Sequence, residues 1–158
     1  MRVRAALVVF VLASLPVEAG ASHEFKAQVA AGLRSLSKVR IPSALRIPLA
    51  AALRPKVQVT TFEVKEGVAT MTGSAPGFDD VSEFMRGLND VVACPKGMAR
   101  AIERKRDDVG WRVEVLESGA ILEYSAASLR FFFAGVELKS TRPVGHEVTF
   151  TMTFPVAK

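Results

Sequence analysis

The chain has 158 residues, 49% of them hydrophobic, with 21 Lys and Arg against 16 Asp and Glu. That length suits one domain, and the apolar content excludes a chain that is disordered throughout. The aromatic residues are mostly Phe, which points to a core rather than to a base-stacking platform. The scattered positive excess favours anionic partners such as lipid headgroups without indicating nucleic-acid binding. One cysteine, Cys94, excludes an internal disulfide and a thiolate zinc site. Two readings of it stay open: a small residue at a helix end or loop, or a thiol that pairs with another chain.

Residues 1–21 read as an address. Met1 to Arg4 is a short basic stretch and Ala5 to Leu15 is an apolar run closed by Pro16-Val17. Ala19 and Ala21 then stand at the spacing that signal peptidase reads. The apolar run of about 13 residues is shorter than the roughly 20 that a spanning helix needs. A cleaved signal is the favoured reading, and an uncleaved signal anchor the alternative.

Residues 22–56 are predicted to form a helical linker. Phe25, Val29, Leu33 and Leu36 recur at three- and four-residue steps. Pro42 and Pro48 are expected to divide the segment, with one helix ending near Val39 and a short one over 48–53. Val57 to Val64 has the β-branched and aromatic content of a strand. Lys65-Glu66-Gly67 is a turn, and Val68 to Ser74 returns to complete a hairpin, with Gly73 marking a bulge or a close backbone approach.

After the Ala75-Pro76-Gly77 break, Asp79 and Asp80 are helix starters, and Asp80 with Glu83 has capping-box spacing. Val81, Phe84, Met85 and Leu88 form an apolar stripe, so an amphipathic helix is expected to run to Asn89-Asp90. The charged run Met98 to Asp108 is expected to be an exposed helix. Trp111 to Leu116 and Ala120 to Tyr124 alternate about Glu117-Ser118-Gly119, which predicts a second hairpin. A short helix is expected over 125–133. Val136 to Lys139 and Glu147 to Phe154 form a last hairpin, with Thr141 to His146 as its turn. The predicted core contains Phe62, Val68, Val81, Phe84, Met85, Leu88, Val136, Leu138, Val148, Phe150 and Phe154.

No chemistry-bearing constellation emerges. His23 and His146 are far apart and belong to no metal-ligand spacing. Phosphate-binding glycine loops and the nucleophile-elbow motif are absent. Asp79-Asp80 is explained by helix capping, and Asp107-Asp108 by a solvated charge run. The Arg100 to Arg106 cluster has a solvated-face reading and, beside it, an acidic-partner or lipid reading. The sequence therefore nominates no catalytic, cofactor-binding or metal-binding residue, no cofactor and no enzymatic activity.

Two stretches carry a resemblance. Phe62 to Leu88 contains Met71-Thr72-Gly73-Ser74-Ala75 followed by Val81, Phe84, Met85 and Leu88. Phe133 to Phe154 contains Val136, Leu138, Ser140, Phe150 and Phe154. In this order they resemble the periplasmic domain of the PilN-like fimbrial assembly family, from the inner-membrane platform of type IV pili and related type II secretion systems. The resemblance implies an α+β, ferredoxin-like fold of permuted αββαββ order over residues 57–158. Residues 91–132, where the family has a short link, are then an insert of a hairpin and a charged helix. It also implies a non-enzymatic component that pairs with other pilus or secretion platform proteins, as a homo- or heterodimer. Its location is periplasmic, or the inner membrane facing the periplasm if the N-terminal segment is retained. A free periplasmic binding module that reuses the fold is the alternative.

Overall fold

The computed structural model describes residues 24–104 and 110–156. Its first helix, α1, covers 24–35. Phe25, Val29 and Leu36 turn inward from it and from the turn behind it. The second helix, α2, spans Ser43–Ala52 and holds Pro48 inside it. This corrects the expected start at residue 48. Tertiary packing outweighs the lost backbone donor here, because Pro48 to Ala52 are all buried. The Arg46 guanidinium also donates to the carbonyls of Leu36 and Val39 at 3.0 and 2.9 Å. Those bonds tie α2 to the turn that follows α1, where the Leu36 carbonyl also accepts from the Val39 amide at 3.0 Å.

A four-stranded antiparallel sheet has the order β1-β2-β9-β8, built from β1 (Gln58–Lys65), β2 (Val68–Ala75), β8 (Glu137–Val144) and β9 (Glu147–Pro155). Glu66 and Gly67, at φ 54° and 79°, join β1 to β2. Positive φ at both central positions is the turn that suits the twist of a tight hairpin. A register shift between Val59 and Thr61 lets Val59 and Phe62 face the same side, and both are buried. On β2 the inward residues are Ala69 and Met71. Val68, expected in the core, is 44% exposed. It stands beside Lys65 on the face away from the helices, since adjacent strand residues alternate. Gly73 is a close approach: a Cβ there would overlap the Gln58 carbonyl oxygen and the Phe150 ring.

The third helix, α3 (Phe78–Asp90), buries Val81, Phe84 and Leu88, while Met85 is only partly buried on its flank. The three helices cross closely on small residues. A Cβ on Gly32 of α1 would lie 2.5 Å from the Ala50 oxygen, and one on Gly87 of α3 would lie 2.8 Å from the Ala52 oxygen. The 22–56 segment, read as a linker, thus supplies helices whose apolar faces join the same core as sheet residues Phe62, Met71, Phe150, Met152 and Phe154. Leu138, expected in the core, is 41% exposed. It lies on the edge strand β8, past the cover of the helices, and Val136 is partly buried.

The chain leaves α3 directly into a second, five-stranded antiparallel sheet of order β6-β5-β4-β3-β7. Its strands are β3 (Val91–Cys94), β4 (Gly97–Arg104), β5 (Gly110–Val115), β6 (Ile121–Ser125) and β7 (Arg130–Phe131). The hairpin about Glu117-Ser118-Gly119 is present as β5 and β6. Two expectations are corrected. The described part of the charged run is strand β4, because Ala99 and Ala101 pair with Val115 and Val113 while Arg100 pairs with Glu114. Residues 105–109 lie outside the described part. The expected helix over 125–133 is a single 3-10 turn, Ala126–Ser128, followed by β7.

Adjacent residues on β3 serve two cores. Val91 joins the large one, whereas Val92 joins Ala99, Val113 and Val115 in a second cluster with Trp111, Leu122, Tyr124 and Phe131 around it. The protein is therefore α+β, with two antiparallel sheets.

Candidate functional site

The sequence singled out few chemical residues, and the structure scatters them. His146 lies exposed in the β8–β9 turn. Asp79 and Asp80 occupy the first turn of α3, where their charge suits the helix dipole. The capping box does not form. Gly77 is the N-cap, with no side-chain capping bond, and Glu83 instead accepts from Arg86 at 2.6 Å. Cys94 is a half-buried free thiol beside Tyr124. Burial first, and then the Cys94 thiol, raise the Tyr124 hydroxyl above the usual phenol range. His23, Asp107 and Asp108 lie outside the described residues. Among the described residues no group of three or more His, Cys, Asp or Glu is placed to hold a metal.

Arg100 is drawn out of the charged run into a polar junction. Its Nε donates to Glu114 Oε1 at 2.8 Å and its Nη1 to Gln28 Oε1 at 3.2 Å. The guanidinium carbon lies 4.3 Å from the centre of the Phe25 ring. Gln28 in turn donates to the Ala51 carbonyl at 2.7 Å. This chain of contacts ties the second sheet to α1 and to the last turn of α2. Glu114 is 3% exposed, and its second oxygen has no hydrogen-bond partner among the described residues. Beside the junction runs a recess of about 490 Å³ between α1 and the end of α2, lined by Gln28, Ala31, Gly32, Leu53, Arg54 and Arg100.

The four-stranded sheet ends on two unlike edges. The β8 edge carries Pro143, Lys139 and a register shift between Leu138 and Ser140, devices that blunt an edge against pairing. The β1 edge is more open over 61–65. Counting back from the hairpin turn, the alternation of paired and unpaired positions directs the backbone groups of Phe62 and Val64 out of the sheet. Alongside lies a recess of about 400 Å³, lined by Arg40, Ile41, Pro42, Phe62, Glu63 and Val64. Val64 is 44% exposed. An open edge with an apolar strip beside it can accept an extended strand, with the backbone supplying affinity and the recess selecting a side chain.

Comparison with family models, curated proteins and solved structures finds no match for this chain.

The β1 edge was partly legible in the sequence, since Val57 to Val64 reads as a strand. Its position at the sheet border was not, because strand order depends on where residues 133–155 return. The junction of Arg100, Glu114 and Gln28 was missed altogether. Its members are 72 and 14 residues apart, and no local spacing signals such a contact.

Proposed function

We propose that the protein is a non-enzymatic assembly component of a type IV pilus or a related secretion machine. It acts on the periplasmic side by pairing its domain with another platform protein. The observation that carries this reading is strand order. Helices precede β1 and separate β2 from β8, and the sheet runs β1-β2-β9-β8. A ferredoxin-like sheet permuted to αββαββ has this order, with the second strand of each hairpin at the centre. Motif residues Met71, Val81, Phe84, Leu88, Phe150 and Phe154 are buried, while Met85 and Val136 are partly buried and Leu138 and Ser140 are exposed. The second sheet is then an insert between the two halves, and the β1 edge with its recess is the pairing surface. No helix among the described residues is long and apolar enough to cross a membrane.

Deleting the gene in the native host and capturing the tagged chain from membranes tests the proposal. Lost piliation or secretion, with co-capture of platform proteins identified by mass spectrometry, is the expected result. Normal piliation and secretion, with no platform protein recovered, contradicts it.

The alternative, a free periplasmic binding module, is favoured by one feature: the recess between α1 and α2, flanked by Arg54 and Arg100. Fold alone does not fix function. Under that reading a small ligand raises the melting temperature of the purified chain, and under the first it does not.

A further inference from the structure

The modest positive excess of the chain is not spread evenly over its fold. Between residues 24 and 56, the helical segment, Glu24 is the only acidic residue, against Lys26, Arg34, Lys38, Arg40, Arg46, Arg54 and Lys56. From residue 57 onward acidic residues outnumber basic ones. The α1–α2 layer is therefore strongly cationic, and the acidic excess beyond it falls on α3, where Asp79, Asp80, Glu83 and Asp90 stand against Arg86 alone.

Arg46 is spent on the carbonyls of Leu36 and Val39, and Arg54 lies half-buried near Asp90. Lys56 is exposed beyond the end of α2. Lys26, Arg34, Lys38 and Arg40 stand on α1 and in the turn that follows it. All four are exposed, and none has an ion-pair partner among the described residues. Lys26 and Arg34 are eight residues apart on α1, which places them on one outward stripe with Ala30 between. Phe25, Val29 and Gly32 occupy the opposite, buried face. Lys38 and Arg40 continue the cationic run in the turn that follows. Unpaired like charges so close together project a field into solvent instead of cancelling it.

We propose that this face of α1 and the α1–α2 turn docks the domain on an anionic lipid surface. Charge complementarity names the partner class, and three observations favour a bilayer over a nucleic acid. The only aromatic residue of the segment, Phe25, is buried, so no ring is available to stack on a base. Lys26, Arg34 and Lys38 lie on α1 and the turn that follows, outside both recesses, and Arg40 stands at the rim of the recess beside β1. Between and beside them stand exposed Ala30 and Ala44, with Ile47 at 44% exposure, apolar groups that an interface accepts. The proposal does not rest on the pilus reading. It concerns which face of the domain lies toward a membrane, whatever protein the β1 edge meets.

The test is sedimentation of the full chain with phosphatidylcholine vesicles that contain or lack phosphatidylglycerol, at low and high salt. Each cation near such a surface contributes about a fivefold factor in affinity. The quadruple variant Lys26→Gln, Arg34→Gln, Lys38→Gln, Arg40→Gln is therefore expected to bind anionic vesicles more than about a hundredfold more weakly. High salt is expected to weaken the wild-type chain similarly. Lys65→Gln, Lys96→Gln, Lys139→Gln, Arg142→Gln removes the same charge from exposed sites elsewhere and is expected to retain binding. Both variants change exposed residues only, and unchanged circular dichroism verifies the fold. Equal binding to neutral vesicles, an equal loss in the two variants, or tighter binding to a duplex oligonucleotide at the same ionic strength each overturns the proposal.

Discussion

Trp111 on β5 and Phe131 on β7 have ring centroids 5.5 Å apart at 67°, although β4 and β3 stand between their strands in the sheet. In a flat sheet, at about 4.8 Å per strand, those backbones would be roughly 14 Å apart. The second sheet must therefore curl, and its concave side is the small core of Val92, Ala99, Val113 and Val115. Contact between Cys94 on β3 and Tyr124 on β6, also three steps apart, requires the same curl. Phe131→Ala is expected to lower stability by about 1–3 kcal/mol, combining lost burial with an edge-to-face contact. Trp111 is the only tryptophan, so its emission reports the change directly and is expected to shift to longer wavelength.

The centre of the large core gives a bigger effect. Phe84 is 0% exposed and meets the Phe150 ring at 5.9 Å. Phe84→Ala is expected to cost about 3–5 kcal/mol in chemical denaturation. A loss under about 1 kcal/mol would mean that α3 does not pack on this sheet as described.

The Arg100–Glu114 junction calls for a double-mutant cycle. Glu114 is buried and Arg100 partly so, at 4% and 32% side-chain exposure. Arg100→Met alone strands a buried carboxylate and is expected to cost about 3–5 kcal/mol. Adding Glu114→Leu removes the stranded charge and is expected to recover most of that loss. Full additivity of the two single changes would show that the pair is not coupled.

Asp90 gives a pH dependence of definite sign. Burial at the C-terminal end of α3 raises its carboxyl above the ordinary 3.8, against the lowering pull of Arg54 and Arg86. The folded state then holds the proton more tightly than the unfolded state. This contribution to stability is greatest below 3.8 and declines as pH rises through the elevated folded-state value. Asp90→Asn is expected to raise the melting temperature at neutral pH relative to wild type, and that gain is expected to vanish below the unfolded-state pKa. A gain that grows on acidification would reverse the assignment.

These contrasts show what the sequence carried and what it did not. Hairpin β1–β2 was legible because Glu66-Gly67 is a local turn signal, and α3 because Val81, Phe84 and Leu88 share one helical face. Strand β4 was misread as a helix because its charges hid the alternation of Ala99 and Ala101, and alanine marks a face only weakly. Val68 and Leu138 looked as apolar as their buried neighbours. Their exposure follows from sheet face and sheet edge, which the chain acquires only when β9 slots between β2 and β8. The cationic layer was visible in composition only as a mild overall excess. Its concentration on one layer appears once α1 and α2 are known to pack together.

Pairing of the domain through its β1 edge is put to the test by a photo-crosslinking amino acid at Val64, incorporated into the full chain in the native host. A crosslink to one defined pilus or secretion platform protein, identified by mass spectrometry, is the expected result. The same probe at Arg142, on the blunted β8 edge, is predicted to give none. A crosslink from Arg142 but not from Val64, or none from either in cells that assemble pili normally, would contradict it.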